Sequence, residues 1–190
     1  MGKTIARAVS AYGTSVKPKL ANMAIGGAPE DQLRGPLDAL FRDLAEVCGL
    51  PVGSVHLVGE AMLADLKTRP DFAVTVSKAL VGFVEVKAPG KGADPRKFNN
   101  PHDKEQWDKL KSLPNLMYTD GNSFSLWRDG KLEGAIIHLE GNVEKAGAKL
   151  VAPDSLLALT QRFPALVANS AEDSQAIGSN KRPPVPTPAR

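Results

Sequence analysis

A single cysteine, Cys48, stands among 190 residues, so no disulfide can form within the chain. It falls in an apolar helical pattern and reads as a small buried side chain; one lone thiol fits a reducing, cytoplasmic setting. The three histidines, His56, His102 and His138, are scattered and have no ligand partner at metal spacing, which argues against a zinc site. No Ser/His/Asp elbow or Cys/His pair is present. Aromatic residues make up 5% of the chain, and Trp107 and Trp127 read as packing residues rather than platforms for stacked bases. No apolar run approaches the roughly 18 residues of a membrane span. The opening "MGKTIARAVSAYG" is too polar for a signal peptide, and its "GKT" lacks the upstream glycine and strand of a phosphate loop. No internal repeat is visible.

What remains is an ordinary soluble composition, with 42% hydrophobic and 24% charged residues. It suits one domain with a tail. The net charge of +3 is small but localised. From Lys87 to Lys111 seven basic side chains face four acidic ones, so this span carries the whole excess. A local basic patch attracts phosphates; a solvated lysine-rich loop would look the same.

Periodicity divides the chain. Residues 1–27 carry a loose helical pattern and read as an N-terminal helical extension. Leu33, Leu37, Leu40, Phe41, Leu44 and Val47 recur at helical steps after Pro29, and Gly49 and Pro51 stop the helix. "SVHLVGE" (54–60) reads as a short strand and "EAMLADLKTR" as a helical turn or loop. "DFAVTV" (71–76) and "LVGFVEVKA" (80–88) read as strands joined by a hairpin turn. A Gly-, Pro-, Asn- and Lys-rich loop (88–102) precedes a helix over 103–113. "NLMYTDG", "SFSLWRDG" and "EGAIIHLE" (133–140) read as three strands with Asp-Gly turns between them. "SLLALTQRFPAL" (155–166) reads as a closing helix. The polar, proline-rich stretch 168–190 reads as a disordered tail or linker. The order predicts an α/β fold: a mixed sheet with helices on its faces.

The stretch "GFVEVKAPGKG" (82–92) carries the chemistry. Glu85 and Lys87 lie two residues apart on a strand and point to one side. Buried charges are costly unless paired or metal-bound. A hairpin between 71–76 and 80–88 would bring Asp71 near Glu85. Two carboxylates there repel unless a cation lies between them. Hard oxygen ligands in a partly open shell suit Mg²⁺, and a nearby lysine can orient water or stabilise charge on a phosphate oxygen. The set points to metal-dependent phosphodiester hydrolysis. The plain alternative is an ion pair on a strand's solvent face.

Pro70-Asp71 followed by Glu85-Val86-Lys87 resembles the core motif of the PD-(D/E)xK nuclease superfamily. "APEDQLRGPLDALF" is similar to that family's first helix, in which Glu30 would complete the metal site; acids also favour a first helical turn for the dipole alone. Gln106, Pro114, Asn115, Leu116 and Thr119 resemble a narrower group, the N-terminal nuclease domains of single-chain restriction-modification enzymes. Leu110 stands where that group usually carries an aromatic. The likeness covers roughly residues 28–140, within a nuclease domain placed at 28–167. It implies a restriction-endonuclease-like mixed β-sheet flanked by helices on both faces. It implies Mg²⁺, with Mn²⁺ able to substitute, held by Asp71, Glu85, the Val86 carbonyl and Glu30. Lys87 would position the attacking water. Gln106 would support the site or touch substrate; an ordinary solvent-facing residue is its other reading. Lys91, Arg96 and Lys97 would meet the DNA backbone. The implied function is a DNA endonuclease of a prokaryotic restriction-modification or phage-defence system, in the cytoplasm. Methyltransferase, translocase or target-recognition units would be its partners, with dimerisation on DNA. A catalytically inactive DNA-binding or assembly module on the same fold is the alternative.

Overall fold

The computed structural model describes residues 2–22, 27–59 and 69–160. Helix α1 (Ile5–Ala21) is capped by the Thr4 hydroxyl, which accepts from the Arg7 N–H at 3.3 Å. Helix α2 (Pro29–Val47) starts on a proline, carries Glu30 and Asp31 in its first turn, and ends before Gly49 at φ 84°. The two helices pack side by side. Val9, Val16, Leu33 and Leu37 are fully enclosed between them and the sheet. Each such side chain contributes about 1.5–3 kcal/mol by burial, so packing outweighs the exposed pairs from Lys3 to Asp43 and Glu46. The 1–27 stretch, expected as an extension, thus places its helix in the main core.

Strands β1 (Val55–Gly59), β2 (Phe72–Val76) and β3 (Ala79–Val86) form an antiparallel meander. Ser77 and Lys78 make the β2–β3 turn with φ of 49° and 73°, the left-handed pair that a tight hairpin needs. Helix α3 (Pro101–Leu110) then crosses over, and β4 (Leu116–Thr119) pairs parallel to β3. It begins two residues before the expected 103, because Asn100 caps it by accepting from the His102 N–H at 2.9 Å. Strand β5 (Ser123–Arg128) pairs antiparallel with β4. Of the strand expected over 133–140 only β7 (Ile137–His138) forms; β6 (Lys131–Leu132) lies just before it, and both pair with β5. Gly134 at φ 80° breaks the extended run between them. Helix α4 (Asp154–Thr160) begins the expected closing helix. Its continuation, the segment 60–68 and the tail 168–190 lie outside the described residues.

Among the described residues the result is a seven-stranded mixed sheet in the order β1-β2-β3-β4-β5-β6, with β7 also on β5. Helices α1 and α2 cover one face, where Phe72, Val74, Val84, Val86 and Met117 are buried. Helix α3 covers the other, over Ala73, Phe83, Leu116, Tyr118 and Trp127. The mixed sheet with helices on both faces is the expected architecture. Trp107 and Trp127 meet edge to face at 4.9 Å, inside this second core. No helix among the described residues is long and apolar enough to cross a membrane.

Strand β4 is docked on β3 at a tight point. The Phe83 N–H donates to the Asn115 carbonyl at 3.0 Å, and the Asn115 amide donates to the Val81 carbonyl at 2.9 Å. A Cβ on Gly82 would lie 2.5 Å from that Asn115 oxygen. Because the blocking atom is backbone, relief requires moving β4. Gly82→Ala is expected to lower stability by about 1–3 kcal/mol, read as a lower urea midpoint at unchanged slope.

Candidate active site

The β2–β3 ladder ends with Phe72 opposite Val84. One step further, Asp71 stands across from Glu85. Alternation turns Glu85 away from the α1–α2 core and toward α3, the side of Phe83, while Asp71, just before β2, lies at the sheet end within reach of Arg34 on α2. Asp71 accepts the Val86 N–H at 2.7 Å through Oδ2 and the Arg34 guanidinium at 2.5 Å through Oδ1. In an extended strand the N–H and C=O of one residue point to the same edge. The Val86 carbonyl is therefore turned toward Asp71 as well.

Glu85 is 3% exposed. Its Oε1 accepts from Lys87 Nζ at 3.0 Å, while Oε2 is buried with no hydrogen-bond partner. Burial, and then the neighbouring Asp71 charge, push its carboxyl up to about 7 despite Lys87. Burial also raises Asp71, more than the Val86 N–H and Arg34 lower it. Lys87 is 7% exposed. It donates to Glu85, lies 3.1 Å from Asp103 Oδ1, and reaches Gln106 Oε1 at 2.5 Å. Burial works against its charge, but Glu85 and Asp103 outweigh this and hold the ammonium above its usual range. Asp103 and Gln106 sit three residues apart, on one face of α3.

The structure thus brings Asp71, Glu85, Val86, Lys87 and Gln106 together. Glu30 occupies the first turn of α2, half-buried. Among the described residues no three His, Cys, Asp or Glu side chains converge as a metal cluster. The basic residues are partnered rather than free. Lys91 pairs with Asp103. Arg96 pairs with Asp94 at 2.9 Å and lies over the Trp127 ring. Lys97, 81% exposed, stands 3.9 Å from Asp94. Three neighbours were absent from the sequence pattern: Arg34, Asp103 and Tyr118. The Tyr118 hydroxyl is buried without a partner, and burial, with the Glu85 charge next, holds it far above its usual range. Arg34 sits one helical turn after Glu30 and Asp103 one turn before Gln106, which is the only local signal for either.

The donor set fits a hard divalent cation. Two carboxylates and a carbonyl provide the few protein oxygens that Mg²⁺ accepts. A buried carboxylate oxygen with no donor is the kind of atom such a cation would satisfy.

No family model matches the chain, and no curated protein does. Among solved structures, a match is the cryo-electron-microscopy structure of the DrdV–DNA complex, at 20% identity and a TM-score of 0.51. The alignment covers 83% of this chain and 14% of that one. The chain therefore spans about one-seventh of the protein it matches. The likeness shows the fold, a restriction-endonuclease-like α/β sheet.

Glu85 binds its proton more tightly folded than unfolded, so its contribution to stability falls as pH rises from about 4.5 to about 7. Above that window the loss is complete. In metal-free buffer, Glu85→Gln is expected to lack this part of the pH dependence. Urea midpoints of wild type and variant should diverge in favour of the variant across that range; parallel curves would contradict the assignment.

Proposed function

We propose that this chain is a metal-dependent DNA endonuclease domain. The observation that carries the reading is the meeting of Asp71 and Glu85 at the end of one hairpin, with an unpartnered buried carboxylate oxygen and Lys87 on the same side. Asp71, Glu85 and the Val86 carbonyl would hold Mg²⁺ or Mn²⁺; Glu30 would contribute through water. The ion would supply Lewis-acid stabilisation of charge gathering on the phosphate. Lys87 orients the attacking water and meets a non-bridging phosphate oxygen. Gln106 keeps Lys87 in place. Water forms the new P–O bond as the bond from phosphorus to the sugar oxygen breaks; the attacking water gives up a proton to solvent, the leaving sugar oxygen takes one from solvent, and no covalent enzyme intermediate is needed. DNA as substrate is supported by the structural neighbour, itself solved as a DNA complex. We place the domain in the cytoplasm, in a prokaryotic restriction-modification or phage-defence system. Methyltransferase, translocase or target-recognition units would supply specificity, and two copies would pair on DNA for double-strand cleavage.

One observation favours a second reading, an inactive DNA-binding or assembly module. Arg34 already answers the Asp71 charge, and Lys87 answers Glu85, so the site is neutralised without a metal. Calorimetric titration of Mg²⁺ or Mn²⁺ alongside plasmid nicking separates the two. Metal binding should vanish in Asp71→Ala. Nicking should fall by about 100-fold or more in both Asp71→Ala and Lys87→Ala, with circular dichroism unchanged. Cleavage retained by both variants would sink the nuclease reading. A folded wild-type chain that binds DNA but neither metal ion would establish the second.

A further inference from the structure

Asp103 opens α3 and is 4% exposed. Its two carboxylate oxygens serve different lysines. Oδ1 lies 3.1 Å from Lys87 Nζ, and Oδ2 accepts a hydrogen bond from Lys91 Nζ. Both ammonium groups also stand over the Phe98 ring, 6.0 and 5.5 Å from its centre. Two cations this close repel unless an anion lies between them, and Asp103 is that anion. The lysines differ in access: the Lys87 side chain is 9% exposed and that of Lys91 33%. Lys91 can therefore swing out to an anion arriving from solvent, while Lys87 stays in place beside Glu85. The backbone around Lys91 is pinned, because its N–H donates to the Ala88 carbonyl at 3.1 Å and the Gly92 N–H to Asp120 at 2.8 Å. Such a turn need involve only the side chain.

We propose that Asp103 is a positioning residue that couples phosphate binding at Lys91 to the placement of Lys87. This rests on the nuclease reading above. In the free chain the carboxylate is shared between the two lysines. When a DNA phosphate takes the Lys91 ammonium, the carboxylate passes wholly to Lys87 and holds it on the reacting side. The sharing weakens DNA binding, because Lys91 must leave one anion to meet another.

The test uses the full chain with two readouts. The first is binding of a fluorescent duplex in EDTA across a salt series. The second is plasmid nicking with Mg²⁺. Asp103→Asn is expected to bind duplex about five- to tenfold tighter at ~0.1 M salt, with a salt slope steeper by about one phosphate contact. Its kcat should fall about 10- to 100-fold while KM stays level or drops. Adding Lys91→Met should remove the gain in affinity. A merely structural Asp103 would weaken binding and turnover together. Asp103→Asn that binds DNA no better than wild type overturns the inference. Should that variant fail to fold, Lys91→Met alone decides. It should weaken binding by less than about fivefold, because the Lys91 charge is already matched in the free chain; a larger loss, as for an unencumbered phosphate contact, overturns the inference. A wild-type chain that neither binds nor nicks DNA overturns the nuclease reading. One that does both, while Asp103→Asn matches it, overturns this inference alone.

Discussion

The two-residue alternation of β3 is the constraint on which the rest depends. One strand serves two environments. Val84 and Val86 seal the α1–α2 core, while Phe83, Glu85 and Lys87 face α3. A slip of one residue would drive a glutamate and a lysine into the α1–α2 core and strand both valines beside the site. Burial of the valines thus holds the charged pair in register. The parallel pairing to β4 depends on the same register, since Glu85 stands beside Tyr118 and the Lys87 N–H donates to the Thr119 carbonyl at 2.7 Å. The hairpin then delivers Asp71 opposite Glu85 with no further device.

Charge burial sets the energetics of the site. An unpaired buried ion costs several kcal/mol, which no single surface pair could offset. Lys87 escapes that cost because Glu85, Asp103 and Gln106 all reach it. Asp71 leans on Arg34 and a backbone N–H. The exception is Glu85, left with one satisfied oxygen and one orphan. Folding therefore concentrates its unspent electrostatic demand at one atom, beside a second carboxylate. That is a weak arrangement for stability and a suitable one for gripping a cation.

The loop after β3 is built rather than loose. Asp120 accepts from Gly92 on one oxygen and from Asn122 and Ser123 on the other, joining the loop to the β4–β5 turn. Ser125 donates to the Ala93 carbonyl and accepts from Trp127. The basic residues are held against acids, and Lys97 remains the most accessible of those expected to meet DNA. A basic stretch in sequence is therefore not a bare positive surface in space.

Local sequence determined much of this protein. Leucine spacing drew α2, valine-rich runs drew β2 and β3, and Asp-Gly turns drew the strands after α3. Alternation alone put Glu85 and Lys87 on one side, and a short hairpin was enough to bring in Asp71. These are short-range patterns, legible because side-chain direction repeats with the backbone. Tertiary structure decided the rest. Arg34 reaches Asp71 across 37 residues, and no periodicity links them. Asp103 looked like any acid in a first helical turn until α3 was laid over β3. The 133–140 strand shrank to Ile137–His138, with left-handed Gly134 breaking the run before it. Which charges are neutralised, and by whom, depends on distances between elements; those distances come from how the helices pack on the sheet, and local propensity carries no record of them.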